Sequence, residues 1–398
     1  MTALPQAFTD YTKELFGEDL FARFLSSFSV PSPVSIRLNP FKIKNCRQTK
    51  ITSLESVPWC DLGYYLNQRP DFTFDPLLHA GCYYVQEASS MFVAQAIKQY
   101  VRDDVMMLDL CAAPGGKSTC VRSYLTPNSV LVCNEPIRSR YNVLTENISK
   151  FGLKNTIVVS KYPKDFKKSE FSDFDVILAD VPCSGEGMFR KDEDSIKQWS
   201  QQNVEKCWRL QREIISDIWD CLTPGGLLIY STCTFNTKEN EENVRWICSE
   251  LGANVLPLKT CSEWNIVGSL LKDYDVPVYR FIPGIVRGEG LFLAVLQKEG
   301  QKIKKTIRRQ VDDEEIHNLP ICSVDYRTAI NYLRHEAIRL PDDAPRGLVQ
   351  IAYKDFVLGQ AKNIGSRANN LYPKEWAIRS THIPSECTSP IEEWVKDC

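Results

Sequence analysis

Of fifteen cysteines, two directly follow apolar runs and sit in turn-forming segments: Cys183 in DVPCSGEG and Cys233 in YSTCTF. A structural thiol is normally a small hydrophobe inside an element, not at its mouth. A free thiol is only a few per cent thiolate at neutral pH. Nucleophilic work therefore needs turn amides or a cation to lower its pKa. Lys117, Arg190 and Lys191 are the candidate cations. No histidine neighbours either thiol in sequence, which disfavours a Cys–His hydrolase. Three carboxylates, Asp109, Glu135 and Asp180, share the placement at the end of an apolar run.

The elements that must position these groups begin with VMMLDLCAAPGGKS, residues 105–118. A short apolar run closed by Pro and Gly reads as a buried parallel strand. The small residues after it turn the chain, and a helix can open at Lys117. Gly115 and Gly116 let backbone amides approach a ligand, so strand, turn and helix form a nucleotide or nucleoside cradle. The pattern is neither G-x-G-x-x-G nor the phosphate-binding loop. A second strand, 129–135, ends in Glu135, which lies 19 residues after Gly116. That is the position from which an acid holds ribose hydroxyls in doubly wound sheets.

Further strands are expected at 156–159, 173–179 and 227–230, with helices at 137–151, 197–222 and from Asn240. This alternation predicts an α/β, doubly wound, mostly parallel sheet over residues 81–300, with ligands beyond the carboxyl ends of its strands. Residues 280–297 read as a closing antiparallel pair. Before this domain, residues 1–80 form a small unit. Phe8, Tyr11, Leu15, Phe21, Phe24 and Phe28 make a core-facing helical stripe. A strand from Val34 to Pro40 carries Arg37. Trp59, Tyr64, Tyr65, Arg69, Phe72 and Phe74 fit a small core or a surface that stacks single-stranded bases. After the sheet, Lys298 to Arg309 begins a charged linker (301–317). A β-rich unit follows over 318–398, where Lys362, Asn363 and Arg367 fall at a turn.

A chain of 398 residues exceeds one typical core. With a net charge of −2, any nucleic-acid surface must be a local patch. The cysteines form no C-x-x-C pair and the four histidines join no cysteine cluster, which argues against zinc and against a disulfide framework. A reducing cytoplasm fits this usage. No signal peptide, membrane-spanning run or internal repeat is expected.

LDLCAAPGGKS, DVPCSGEGMFRK and YSTCTFNTKENEENV resemble the three main motifs of the Nop/Sun RNA cytosine-5 methyltransferase family. SIRLNP, YYVQEASSM, RFIPGIVRGEGLFLAVL and LGQAKNIGSRANNLYPKEWAIR resemble the branch of the bacterial 16S ribosomal RNA methyltransferase F enzymes. The resemblance implies a class I, Rossmann-like methyltransferase between an N-terminal α+β RNA-binding domain and a C-terminal PUA-like domain. It implies that Cys111, Ala112, Ala113, Pro114, Gly115, Gly116 and Lys117 hold S-adenosylmethionine, with Glu135 on its ribose and Arg140 nearby. It makes Cys233 the nucleophile at cytosine carbon 6, Asp180 the partner of the cytosine edge and Cys183 the group that assists product release. Arg37, Arg190, Lys191, Lys362, Asn363 and Arg367 are the expected RNA contacts. The expected partner is ribosomal RNA, within the small subunit, with no metal, no membrane and a monomeric enzyme.

One departure stands out. The family usually carries Asp after the third strand, where this chain has Tyr162, in SKYPKDF. Tyr162 supplies no carboxylate; it can stack on adenine, or Asp165 can substitute after a local shift. Weaker cofactor affinity is the expectation. Transfer RNA as substrate, and an RNA-binding assembly factor with vestigial methyl transfer, are the alternatives. A nicotinamide oxidoreductase is disfavoured by the missing G-x-G-x-x-G and the two mouth cysteines.

Overall fold

The computed structural model describes residues 3–301, 319–380 and 382–396. The chain opens with α1, Gln6–Ser26, broken at Gly17, whose φ of 75° leaves helical space. Of the expected core stripe Phe8, Phe21 and Phe24 are buried and Tyr11, Leu15 and Phe28 half-buried, while Phe16, outside that stripe, is buried as well. They pack edge-on against aromatics from the central domain, Phe8 on Phe189 at 5.0 Å and Phe24 on Phe235 at 5.4 Å.

A four-stranded sheet follows: β1, Val34–Leu38; β2, Glu55–Ser56; β3, Gly63–Leu66; β4, Tyr83–Val85; its order is β2-β3-β1-β4. The short helix α2, Pro76–His79, is capped by Asp75, which accepts from Leu77 N at 2.8 Å. Trp59, Tyr64, Tyr65 and Phe74 are buried, so the aromatic run is core and leaves no platform for bases. Of the six residues named in that run only Arg69 is exposed, and Phe72 is half-buried. The sheet leans on the next domain: Trp59 Nε1 donates to Ala88 O at 2.7 Å, and its ring lies 5.0 Å from Phe281.

The central domain starts with α3, Val93–Tyr100, β5, Met106–Asp109, and α4, Gly116–Arg122. Then come β6, Val130–Asn134, α5, Arg138–Phe151, β7, Thr156–Val159, and β8, Phe174–Asp180. The expected long helix is two, α6, Glu193–Gln198, and α7, Gln201–Trp219, because Ser200 caps a new start by accepting from Asn203 N. β9, Leu222–Thr232, runs through the Pro-Gly-Gly expected as a turn. α8, Glu241–Leu251, β10, Ala253–Leu256, β11, Val278–Phe281, and β12, Leu291–Lys298, complete it.

The sheet order is β7-β6-β5-β8-β9-β12-β10, with β11 also on β12. The first five strands are parallel and β12 is antiparallel to β9. Both faces are buried, so the strands read as continuous apolar runs. Alternate residues part company. Met107, Val176, Ile229 and Leu293 share a core with Ile97, Cys120 and Leu144 from α3, α4 and α5. Leu108, Ile177, Leu228 and Phe292 pack with Ile214 and Ile218 of α7 and Val244 and Ile247 of α8.

A third sheet, β13-β14-β15-β16, spans Ile321–Ser323, Gly347–Tyr353, Phe356–Asn363 and Ala368–Asn370, with α9, Tyr326–Leu333, beside it. It docks through Tyr326 Oη, which donates to Phe74 O at 3.1 Å. Lys298, expected to begin the basic linker, belongs to β12 and donates to Trp219 O and Leu222 O. The other linker cations lie outside the described residues. Among the described residues no helix is long and apolar enough to cross a membrane.

Candidate active site

Strand order reverses at β5, with β6 on one side and β8 on the other, and the turn after β5 therefore faces the crevice where open α/β sheets bind ligands. The turn is held from outside. Ala112 N donates to Asn134 O at 2.8 Å, Arg140 Nη2 to Ala113 O at 3.0 Å, and Asn147 Nδ2 to Pro114 O at 2.7 Å. Gly115 has φ of 109°, a conformation open to glycine and rarely to other residues. Glu135 is buried; its Oε1 accepts from Ile137 N, Arg140 stands 3.3 Å from its Oε2, and that oxygen has no hydrogen bond among the described residues. Asp109 is fully buried under the turn. Its Oδ2 accepts from Ser118 at 2.6 Å, its Oδ1 has no hydrogen-bond partner among the described residues, and burial raises its pKa to about 7.

Cys183 follows β8 and Cys233 follows β9, neighbouring strands, so the two turns meet. Their Sγ atoms are 3.2 Å apart, and Cys233 N donates to Cys183 Sγ at 3.4 Å. The contact with Cys233, then burial, holds the Cys183 thiol well above its usual pKa. Gly187 N donates to Cys233 O at 2.7 Å, an approach a side chain would block, since a Cβ there would lie 2.5 Å from that oxygen.

Behind the thiols lies a brace that the sequence reading missed. Glu186 Oε2 accepts from Phe235 N at 2.6 Å and Asn236 N at 3.1 Å. Glu239 Oε2 accepts from Ser184 N at 3.0 Å and Gln211 Nε2 at 2.7 Å, and Asn236 Nδ2 donates to both carboxylates. Each turn is thus tied to an acid borne by or beside the other. Burial, with Glu186 adding to it, raises the Glu239 pKa to about 7. The signal was present, as acids in CSGEG and TKENEENV, but nothing in a sequence says that two surface-type residues fold inward.

In front of the thiols, Asp180 ends β8. Its Oδ1 accepts from Ser231 at 2.7 Å and its Oδ2 pairs with Lys117 Nζ at 2.9 Å. Burial alone would lower the Lys117 pKa; the Asp180 carboxylate outweighs it and keeps the ammonium above its usual range. One cavity of about 360 Å³ is lined by Cys111, Lys117, Asp180, Lys191 and Cys233, with Tyr84 and Met188 at its rim. Burial pushes the Cys111 thiol far up.

The expected RNA contacts divide. Arg37 is corrected: it is fully buried, donating to Gln86 Oε1 at 2.7 Å, Thr119 Oγ1 at 2.6 Å and Ser123 Oγ at 3.2 Å. Arg190 is corrected too, its buried guanidinium pairing with Glu289 at 2.9 Å and donating to Val30 O at 3.0 Å. Asn363 is buried and donates to Ala344 O and Pro345 O. Lys191, Lys362 and Arg367 are exposed. Tyr162 lies just beyond β7, 61% exposed, and Asp165, in the short 3-10 turn it caps, is exposed as well.

A parallel sheet of this order with an antiparallel strand inserted, and a nucleoside cradle facing paired thiols, defines a Rossmann-like methyltransferase with an added domain at each end. Comparison with known proteins is more specific. The family model for 16S rRNA methyltransferase RsmB/F matches residues 96–297, that for the N-terminal domain of 16S rRNA methyltransferase RsmF matches 4–88, and that for the methyltransferase RsmF PUA domain matches 321–378. The chain belongs to the 16S rRNA methyltransferase RsmB/F family. It is 33% identical over 310 residues to ribosomal RNA small subunit methyltransferase F of Pectobacterium atrosepticum, covering 75% of this chain and 63% of that protein. With the protein of the same name from Cronobacter sakazakii it is 29% identical, covering 94% and 96%. A crystal structure of a methyltransferase homologue from Pyrococcus horikoshii superposes with a TM-score of 0.62 at 26% identity, over 74% of this chain and 95% of that one.

Proposed function

We propose that this protein is an S-adenosylmethionine-dependent methyltransferase that modifies carbon 5 of a cytosine in small-subunit ribosomal RNA. The observation that carries the reading is Cys233 in one cavity with the Asp180–Lys117 pair, its Sγ 3.2 Å from that of Cys183. The cradle fits the cofactor: Glu135 offers a buried oxygen with no hydrogen bond, suited to a ribose hydroxyl, beside a turn whose carbonyls are tied outward. S-adenosylmethionine supplies an electrophilic methyl group when bound.

In this reading Cys233 Sγ adds to carbon 6 of the ring, and the displaced electron pair makes carbon 5 nucleophilic enough to be methylated. Asp180, held by Lys117 and Ser231, faces the cytosine edge and steadies the charge that builds there. The carbon-5 proton then leaves to a base, the carbon–sulfur bond breaks, and Cys233 is regenerated. Cys183, in contact with Cys233, assists that release. The base must first leave its stack, at a cost of a few kcal/mol. We assign RNA capture, which offsets that cost, to the flanking units 1–80 and 318–398, with Lys362 and Arg367 among their exposed cations, together with exposed Lys191 of the central domain.

The test is methyl transfer from labelled S-adenosylmethionine to small ribosomal subunits and, separately, to bulk transfer RNA, with Cys233→Ala as control. Label in 5-methylcytosine from the subunits, absent in the variant, supports the reading. Label in transfer RNA alone keeps the chemistry and replaces the substrate. RNA binding without label in either overturns the enzymatic reading in favour of an assembly factor.

A further inference from the structure

A groove of about 1110 Å³ opens beside the catalytic cavity, and Val85, Gln86, Glu87 and Lys191 line both. Its walls are the segment after α1, the turn after β3 and residues 284–288 of RFIPGIVRGEG, a stretch the chemistry above does not use. The walls are rigid. A Cβ on Gly284 would lie 2.2 Å from Arg23 O, one on Gly288 would lie 2.0 Å from Ser89 Oγ, and Arg190 ties Val30 O to the turn that bears Cys183. The acid in the groove is already engaged: Glu87 accepts from the backbone amides of Ser89, Ser90 and Glu289 at 2.9–3.0 Å. The turn after β3 is not. Asn67 and Gln68 are exposed and make no hydrogen bond among the described residues. Arg69 lies over the Phe72 ring at 5.4 Å, and neither it nor exposed Lys191 makes an ion pair among the described residues, although Lys191 is near enough to Glu289 to act on its charge.

We infer that this groove holds the unpaired ribonucleotides flanking the target cytosine, and that Asn67, Gln68 and Arg69 are the residues that read and grip them. The inference rests on the proposed RNA substrate. A base drawn into the cavity leaves its neighbours on a splayed strand, and sequence-specific RNA recognition acts on such unpaired bases through their edges. Amide side chains offer a donor and an acceptor together, the requirement for reading an edge. Arg69 and Lys191 supply phosphate contact. The groove exceeds the about 300–1,000 Å³ of a small-molecule site, as a strand of several nucleotides requires.

The experiment uses the full-length protein and an RNA fragment bearing the target cytosine, with 5-bromouridine at each neighbouring position for photocrosslinking. Crosslinks at 67–69 or 284–288 are expected. Arg69→Glu should raise KM at least tenfold with kcat within about twofold, and should reduce the salt slope of binding by about one. The Asn67→Ala/Gln68→Ala variant should lose at least fivefold of the discrimination between RNAs that differ beside the target. Both variants should keep the wild-type rise in melting temperature with S-adenosylhomocysteine, which shows that they fold. Wild-type KM and flank preference in these variants, or crosslinks confined to 319–396, would overturn the inference. So would crosslinks from the groove to a ribosomal protein instead of RNA. Absence of methyl transfer by the wild type sinks the proposed activity instead, and crosslinking of bound RNA still decides what the groove holds.

Discussion

Gly187 is one of the points at which the two cysteine-bearing turns touch, and there no side chain fits. In Gly187→Ala the new methyl must push Cys233 O away, at a cost of about 1–3 kcal/mol in stability. Turnover should fall at least tenfold while cofactor-induced stabilisation stays, as initial rates and melting curves would show. Asp109 makes a prediction about pH. Its folded pKa, about 7, lies above the ordinary 3.8, so the folded protein holds that proton more tightly than the unfolded chain. Its contribution is full below about pH 4 and is lost as pH rises through about 7. Asp109→Asn, which does not titrate, should flatten the fall in melting temperature between pH 5 and 7.5; an unchanged slope would refute the assignment. Tyr162→Asp should tighten S-adenosylmethionine binding by calorimetry, because the carboxylate usual in the family returns beyond β7. Unchanged affinity counts against a cofactor role for this position.

At the scale of elements, legibility followed burial geometry. β5 lies within its expected span because a strand covered on both faces is a plain apolar run closed by turn residues, and the half-buried edge strand β7 matches its span through its β-branched run. The mouth cysteines and acids were legible because position after a strand is a sequence property. Arg37 and Arg190 were not, since an arginine that anchors an interior looks in sequence like one that meets a phosphate. The inward brace of Glu186 and Glu239 was hidden for the same reason. Arg280 shows what such residues do for an element. Fully buried, it makes a two-pronged pair with Glu241, Nη1 to Oε1 at 2.8 Å and Nη2 to Oε2 at 2.7 Å, fastening β11 to the start of α8. Removing one partner leaves a buried charge alone, so Glu241→Gln should cost about 3–5 kcal/mol in a denaturant melt.

For the whole molecule, one apolar cluster runs through all three units, and the polar contacts that join them differ. The third sheet shares an apolar cluster with the rest, to which Ile330, Leu333 and Val349 belong, and adds Tyr326 on Phe74 O and Lys150 over the Trp376 ring at 5.7 Å. Deleting residues 319–398 should weaken RNA binding at least tenfold and leave the response to S-adenosylhomocysteine intact; equal loss of both would mean that the unit is structural. The first sheet adds a buried cation to its apolar contact. Ile36, Trp59 and Tyr64 lie in one apolar cluster with Met107, Leu131 and Ile229 of the central sheet, and Arg37 reaches across to Thr119 and Ser123 beside the cofactor turn. Between these two units there is a boundary in the sequence but none in the core. In evolutionary terms the first unit is no interchangeable accessory: a lineage that lost it would strip one face of the catalytic sheet, so the two must be inherited, and must drift, together.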